Sequence, residues 1–259
     1  MTPDDTNLPP VAIAQALSRR FERIVVFSGA GMSADSGIPT FRGGNNGLWQ
    51  TFDPEELATP SAWHRNRDLV WGWYEWRRGL VSAAQPNAGH LAVADMQRQF
   101  GATVITQNVD DLHERGGASE VLHLHGSLFA ARCDTCARPH LLDEAPQEVR
   151  RELAPPRCTR CDGHIRPGVV WFGEGLDDRT VALASRAING CDLLLIVGTS
   201  GVVYPAAGMV DLAPRDAIVI EINPQPGMSS PAAGRIHTWP TTAAHGLPWI
   251  LQRLTIGID

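Results

Sequence analysis

Short apolar runs that alternate with amphipathic segments are the feature that most restricts how this chain can fold. Near-continuous runs of Val, Ile and Leu are typical of parallel strands covered by helices on both faces. Helical periodicity occurs between them, at 87–100 and 177–189. This order predicts an α/β fold with a doubly wound parallel sheet. The predicted strands are 23–29, 103–108, 120–126, 191–199 and 217–223.

Two segments interrupt this alternation. Residues 40–83 include a tryptophan-rich stretch of helical periodicity, and residues 127–166 are rich in Cys, Pro and Arg. The chain has 259 residues, enough for a large unit with a smaller one beside it. We expect both segments to be insertions that together build a small second lobe.

Composition argues against several functions. The net charge is −6 and the pI about 5.8, with no basic run, so a nucleic-acid or membrane-surface role is not expected. An apolar run of about 18 residues is absent and the acidic, Pro-rich start is unlike a signal peptide, which predicts a cytoplasmic protein. All 22 basic residues are arginine, which excludes mechanisms that need a catalytic lysine.

Four of the five cysteines form two C-x₂-C pairs. Cys133 and Cys136 make the first pair, Cys158 and Cys161 make the second, and 21 residues lie between the two pairs. Two such pairs supply four thiolates to a tetrahedral zinc ion without an open position, so they predict a structural zinc site. Disulfides are the alternative, which a cytoplasmic location disfavours. Cys191 begins an apolar strand and is interpreted as a small buried hydrophobe.

A glycine turn, GAGMSA at 29–34, follows the first predicted strand and fits the G-x-G-x-x-A pattern of dinucleotide-phosphate turns. Its glycines allow the backbone to approach a pyrophosphate, and a helix N-terminus would favour the anion. The pattern alone is weak evidence. The following DSGIPTFRG is unlike a continuing helix, so we expect a dinucleotide whose obvious use is not hydride transfer.

Polar residues stand at the carboxyl ends of the other predicted strands. Ligands of open α/β sheets bind outside these ends, so we expect the polar groups to converge. Each alone has an ordinary explanation as a turn or a helix cap, and His125 alone is equally well a structural histidine. Together, facing one glycine turn, they indicate a binding site. They are Gln107, Asn108, Asp110, His125, Gly198, Thr199, Ser200, Glu221 and Asn223.

The segment LVWGWYEWRR, at 69–78, places an arginine among aromatic residues. Val70, Trp73, Tyr74, Arg77 and Val81 fall on one face of a helix, so Arg77 lies on the apolar stripe. A snorkelling arginine, whose stem covers aromatic surface while its head reaches water, is the simpler interpretation. The alternative is a guanidinium directed into a pocket for an acidic ligand. This segment by itself favours the first.

The chain resembles the sirtuins, the NAD-dependent protein-lysine deacylases, from about residue 20 to its end. The motifs that carry the resemblance occur in the sirtuin order: GAGMSADSGIPTFRG, TQNVDDLH, HLHGS, the paired C-x₂-C, VVWFGE and GTS. It implies that residues 1–259 are one sirtuin domain, with a Rossmann-like large domain and a small domain. The implied boundaries are 11–39, 84–126 and 167–259 for the large domain, 40–83 for a helical module and 127–166 for a zinc-ribbon module.

The resemblance also assigns roles to residues. His125 would be the general base, and Asn108 would act beside it on the nicotinamide ribose. Asp35 and Val109 stand where sirtuins more often have Glu and Ile, which does not threaten the assignment. The residues implied for NAD are Gly29, Ala30, Gly31, Ala34, Asp35, Phe41, Arg42, Trp49, Gln107, Asn108, Asp110, Gly198, Thr199, Ser200, Asn223, Pro224, Gln225 and Ala243.

The implied reaction consumes NAD as a co-substrate and leaves the zinc structural. The acyl-lysine oxygen attacks the ribose carbon and nicotinamide leaves, and water then releases free lysine and an O-acyl-ADP-ribose. The substrate peptide would be clamped between VVWFGE and GVVY as an added strand. The implied substrate residues are Ala58, Tyr74, Arg77, Val170, Trp171, Phe172, Gly173, Glu174 and Val202.

One branch of the sirtuins, known for removing succinyl and malonyl groups, carries Tyr-x-x-Arg, matched here by Tyr74 and Arg77. A guanidinium offers a bidentate fork to a carboxylate and a tyrosine hydroxyl adds a hydrogen bond, while Ala58 widens the pocket. The resemblance therefore favours the acidic-ligand interpretation of Arg77, with acetyl removal also expected.

Acylated-lysine proteins or peptides would be the partners of a monomeric enzyme. A mono-ADP-ribosyltransferase is the alternative enzyme, and a zinc-ribbon module that senses NAD or nucleic acid without turnover is the alternative of another class.

Overall fold

A computed structural model describes residues 8–40, 53–145, 152–201, 204–225 and 236–256. Four predicted site residues, Phe41, Arg42, Trp49 and Val202, lie outside these ranges. The described residues form a six-stranded sheet of order β3-β2-β1-β7-β8-β9 and a three-stranded sheet of order β5-β4-β6. The strands are β1 Ile24–Ser28, β2 Thr103–Thr106, β3 Leu122–His123, β4 Gly126–Cys133, β5 Pro139–His140, β6 Ile165–Val169, β7 Leu193–Val197, β8 Ile218–Ile222 and β9 Ile236–Trp239.

All neighbouring strands of the six-stranded sheet are parallel, and apolar residues pack on both of its faces. On one face, Val26 and Leu195 pack with helices Val11–Ala16, Ala88–Phe100 and Ala243–Ile256. On the other, Phe27 and Leu194 pack with helix Asp178–Asn189 and the 3₁₀ helix Ala206–Leu212. Consecutive strand residues alternate between the two faces, so a strand covered on both sides must be apolar throughout. The predicted α/β class is confirmed.

The two predicted helices begin and end close to the expected residues, because the sequence caps them. Asn87 accepts hydrogen bonds from the backbone N–H groups of Gly89 and His90, and Gly101 ends the same helix with a φ of 67°. Asp177 accepts from the N–H of Thr180, at 2.8 Å, and so begins the helix Asp178–Asn189.

Predicted strand 120–126 is wrong in its length. Only Leu122–His123 pairs in the large sheet, and β4 begins in the other sheet at Gly126. Gly126 has a φ of 74°, and a Cβ there would lie 2.1 Å from the Gly168 carbonyl oxygen. Glycine at this position lets the chain cross from one sheet to the other.

The two interrupting segments pack together. Helices Pro54–Leu57, Pro60–Arg65 and Arg67–Ala83 share one core with β4 and β6, in which Trp63, Trp73 and Trp171 are buried. Within the described ranges, no helix is both long and apolar enough to cross a membrane.

Candidate active site

The carboxyl ends of β1, β2, β7 and β8 meet along one edge of the large sheet, at a cavity of about 340 Å³. Of the nine residues that the sequence places at strand ends, two are buried without lining the cavity, Asp110 and Glu221, and seven line it: Gln107, Asn108, His125, Gly198, Thr199, Ser200 and Asn223. The NAD residues predicted from the resemblance that line the cavity are Gly29, Ala30, Gly31, Gln107, Asn108, Gly198, Thr199, Ser200, Asn223 and Gln225.

The glycine turn after β1 lies directly against the turn after β7. The Gly31 N–H donates to the Gly198 carbonyl oxygen at 2.8 Å. A Cβ on Gly31 would stand 2.7 Å from the Gly198 Cα, so this contact excludes any side chain. The chain then continues as the 3₁₀ helix Ala30–Ser36, which ends at Gly37. A helix this short agrees with the expectation that no long helix follows the glycine turn. A narrow backbone floor with hydroxyl and amide groups beside it fits a dinucleotide.

Side-chain hydrogen bonds join the strand ends to one another. The Gln107 side-chain amide donates to Thr199 Oγ1 at 3.1 Å, and that of Asn223 donates to the Thr199 carbonyl oxygen at 2.9 Å. Thr199 therefore connects the ends of β2 and β8 to the turn after β7.

Five of the predicted NAD residues do not line the cavity: Ala34, Asp35, Asp110, Pro224 and Ala243. Asp110 is buried behind it, where its carboxylate accepts from the Ser33 hydroxyl at 3.0 Å. Ser33 in turn accepts from the side-chain amide of Asn108 at 3.2 Å. Burial raises the pKa of Asp110. In this structure Asp110 supports Asn108 from beneath.

His125 lies in the same cavity and has a defined tautomer. Its Nδ1 is 2.9 Å from the carbonyl oxygen of Gln107. A carbonyl can only accept, so Nδ1 carries the proton and the neutral ring has its lone pair on Nε2. Burial lowers the pKa of His125, against the opposing effect of the Gln107 hydrogen bond. The ring is therefore held neutral, with an acceptor nitrogen, at neutral pH.

The helix Arg67–Ala83 contributes Tyr74 and Arg77 to the wall of the cavity opposite the glycine turn. Other segments add Ala58, Trp171 and Phe172 to the same wall. Arg77 is only 9% exposed, and its guanidinium carbon lies 4.8 Å from the centre of the Trp73 ring. Burial to this degree does not fit a snorkelling arginine whose head lies in water.

The motif VVWFGE forms the rim between the two walls. Its backbone donates from Val170 to the His125 carbonyl oxygen and from Phe172 to that of Ala58, both at 2.9 Å. The Glu174 carboxylate also lines the cavity, but both of its oxygens bind the Arg166 guanidinium, at 2.6 and 2.8 Å. Glu174 thus anchors the rim to β6.

Comparison with known proteins gives one consistent result. The Sir2 family model matches residues 29–205. The chain belongs to the Sir2 family. It is 51% identical over 236 residues to NAD-dependent protein deacylase 1 of Pseudomonas aeruginosa, covering 89% of this chain and 94% of that protein. It is 50% identical to an NAD-dependent protein deacylase of Mycobacterium tuberculosis, covering 90% and 98%.

Solved structures agree with this assignment. A mutant Sir2 homologue in complex with ADP-ribose superposes with a TM-score of 0.86 at 37% identity, covering 96% of this chain and 98% of that one. A Sir2 homologue in complex with NAD superposes with a TM-score of 0.83 at 38% identity, covering 96% and 95%.

The Sir2 chain brings its four paired cysteines into one cluster. Their sulfur atoms all lie within 4.8 Å of one another. The Cys133–Cys161 and Cys136–Cys158 sulfur distances are 3.5 and 3.8 Å. A disulfide would need about 2.05 Å, whereas tetrahedral zinc with bonds of about 2.3 Å separates its sulfurs by roughly 3.8 Å. The cluster fits structural zinc, and Cys191 is buried elsewhere, at 2% exposure, as expected.

Three residues that line the Sir2 site are not predicted from the sequence: Thr40, Leu176 and Pro205. Thr40 lies inside the GAGMSADSGIPTFRG motif, Leu176 lies two residues after VVWFGE, and Pro205 directly follows GVVY. Adjacency to those motifs was the available signal, but which neighbours turn inward depends on the fold.

We predict that Cys158→Ser abolishes zinc binding and unfolds the segment around the cluster, because a site of four thiolates contributes folding free energy directly. Zinc content by mass spectrometry and limited proteolysis of residues 127–166 measure the two effects. Cys191→Ser is the matched control and should retain one zinc ion per chain. A metal-free Cys158→Ser protein with wild-type protease resistance would contradict the assignment.

Proposed function

We propose that this chain is an NAD-dependent protein deacylase that prefers lysine acyl groups ending in a carboxylate, such as succinyl and malonyl, and also accepts acetyl. The relatives about 50% identical to it, which are named NAD-dependent protein deacylases, support the reaction. One observation supports the acyl preference: buried Arg77 and Tyr74 line the same cavity as His125.

NAD, when bound, supplies a ribose carbon that can exchange nicotinamide for the acyl oxygen. The glycine turn, Thr199, Ser200 and Asn223 would hold it, and Asn108, oriented by Ser33, would hold the nicotinamide ribose. His125 acts as the general base. Because Nδ1 donates to the Gln107 carbonyl, Nε2 has the lone pair that accepts a proton from a ribose hydroxyl.

The acyl end of the site is electrostatically suited to an anion. A guanidinium stays protonated in proteins, and burial makes its charge costly unless an anion or another polar group faces it. A carboxylate in the cavity would accept from Arg77 and from the Tyr74 hydroxyl. A mono-ADP-ribosyltransferase does not need residues that bind an acyl carboxylate, so the presence of Arg77 and Tyr74 in the cavity favours deacylation over that alternative.

The remaining assignments follow the same proposal. The large domain would comprise 11–39, 84–126 and 167–259, and the small domain the modules 40–83 and 127–166. The segments VVWFGE and GVVY would hold the substrate peptide. A cytoplasmic location and a monomeric state stay predictions from the sequence.

We expect kcat/KM to be constant near neutral pH and to fall on acidification only below pH 6.5, because burial lowers the pKa of His125 from that ordinary value and the neutral ring is the active form. His125→Ala should lose about 10²-fold or more in rate while keeping the wild-type urea midpoint. A near-wild-type rate for His125→Ala, or an acidic limb centred above pH 6.5, would contradict this role.

The acyl preference predicts that Arg77→Met changes two activities in opposite directions. A hydrogen bond to a charged group contributes about 1.5–3 kcal/mol, so desuccinylation kcat/KM should fall by about 10- to 100-fold. The kcat/KM for deacetylation should stay the same or rise. An acetyl group has no carboxylate that could offset the cost of the buried guanidinium charge, so removing this charge costs the acetyl substrate nothing. Measured on one peptide scaffold, the succinyl-to-acetyl ratio of kcat/KM cancels general damage to the enzyme.

Arg78→Met is the matched control for this experiment. Arg78 follows Arg77 on the same helix, but it donates to the Glu75 carboxylate and to the carbonyl oxygens of Asp143 and Glu144 instead. This variant should lose stability with an unchanged acyl ratio. An equal loss of both activities in Arg77→Met would make Arg77 a structural arginine.

A further inference from the structure

The Tyr74 hydroxyl accepts a hydrogen bond from an indole. Trp171 Nε1 lies 3.1 Å from Tyr74 Oη, and both residues are buried at the cavity wall. An indole N–H can only donate, so the hydroxyl oxygen must be the acceptor in this pair. Among the described residues, this is the hydrogen bond that the structure gives to the Tyr74 hydroxyl.

This bond determines where the hydroxyl proton lies. A phenolic proton prefers the plane of the ring, on one side of the oxygen or the other. With the Trp171 N–H on one side, the proton takes the other side, and the hydroxyl becomes a donor there. Burial raises the pKa of Tyr74 to about 12, although Arg77 acts to lower it, so the proton is retained at neutral pH.

The indole itself is fixed from several directions. The Arg166 guanidinium carbon lies 3.5 Å from the centre of the Trp171 ring, and the Trp63 ring packs against it at a centroid distance of 5.7 Å. The Trp171 backbone N–H donates to Glu174 at 2.9 Å, and Glu174 in turn holds Arg166. Trp171 therefore presents its N–H from a rigid frame, which reduces the entropy lost when a ligand binds beside it.

We propose that Trp171 is a positioning residue for acidic acyl groups: its indole N–H directs the Tyr74 hydroxyl proton toward a carboxylate held by Arg77. This rests on the proposed function, because it needs a carboxylate at that place. An acetyl group has no carboxylate, so the direction of the Tyr74 hydroxyl proton does not affect how well an acetylated substrate binds. Trp171 thus acts on acyl preference through Tyr74 and does not touch the carboxylate.

The test replaces the N–H and keeps the ring. Trp171→Phe removes the donor, and incorporation of 3-benzothienylalanine at position 171 replaces only the N–H by sulfur, which keeps the shape should Trp171→Phe fold poorly. The succinyl-to-acetyl ratio of kcat/KM should fall by about 2- to 10-fold in both, the scale of one neutral hydrogen bond. In a Tyr74→Phe background, the same replacements should leave the ratio unchanged, because the hydroxyl through which they act is gone.

Incorporation of 3-benzothienylalanine at position 63 is the matched control. It removes an indole N–H from the same aromatic cluster and keeps the ring that packs against Trp171. That N–H donates to Asp134 at 3.1 Å, so the ratio should not change. An unchanged ratio in both Trp171 variants, with Arg77→Met still lowering it, would overturn this inference and leave the proposed function intact. A Trp171 effect that persists in Tyr74→Phe would also overturn it. If Arg77→Met leaves the ratio unchanged, the proposed acyl preference falls, and the role of Trp171 falls with it.

Discussion

A backbone contact between two glycines is the constraint on which the site depends. The hydrogen bond from Gly31 to Gly198 brings the turns after β1 and β7 together, at a distance that no side chain permits. Thr199 then stands where the amides of Gln107 and Asn223 reach it. The Gln107 carbonyl in turn fixes the tautomer of His125. His125, the proposed general base, is thus oriented by the same contact that shapes the floor of the proposed dinucleotide site.

The acyl wall and the dinucleotide floor are coupled through the rim of the cavity. Val170 is hydrogen-bonded to His125, and Phe172 to Ala58, so two residues of one motif join His125 to the helical segment. Trp171, between them, reaches Tyr74. Because the proposed acyl recognition and the proposed proton transfer share this short segment, a change in the rim should affect selectivity and rate together. A change at Arg77 should affect selectivity first.

The sequence predicts the sheet and its site because each depends on local patterns. Apolar runs identify the buried strands, and caps at Asn87 and Asp177 identify where helices begin. The paired cysteines identify their cluster by spacing alone. β9 and the helix Ala243–Ile256 escaped prediction, since one is a four-residue edge strand and the other has Pro248 inside it.

Contacts between distant residues set the limit of that prediction. Helical periodicity places Arg77 on the apolar face but cannot tell what covers it, so its burial required the fold. Glu174 reads as a substrate residue in its motif, yet its carboxylate binds Arg166 of β6. Asp110 follows a strand end like its neighbours, but packs behind Asn108. For Glu174 and Asp110, the partner lies on another element, at Arg166 and Ser33.

NAD cleavage in this cavity should depend on an acylated lysine beside His125. Nicotinamide release from NAD, measured with one peptide in its unmodified, acetylated and succinylated forms, tests this dependence. We expect release in step with the loss of the acyl group, fastest with the succinylated peptide and negligible with the unmodified one. Release at the same rate with all three peptides, or transfer of ADP-ribose to protein without deacylation, would contradict it.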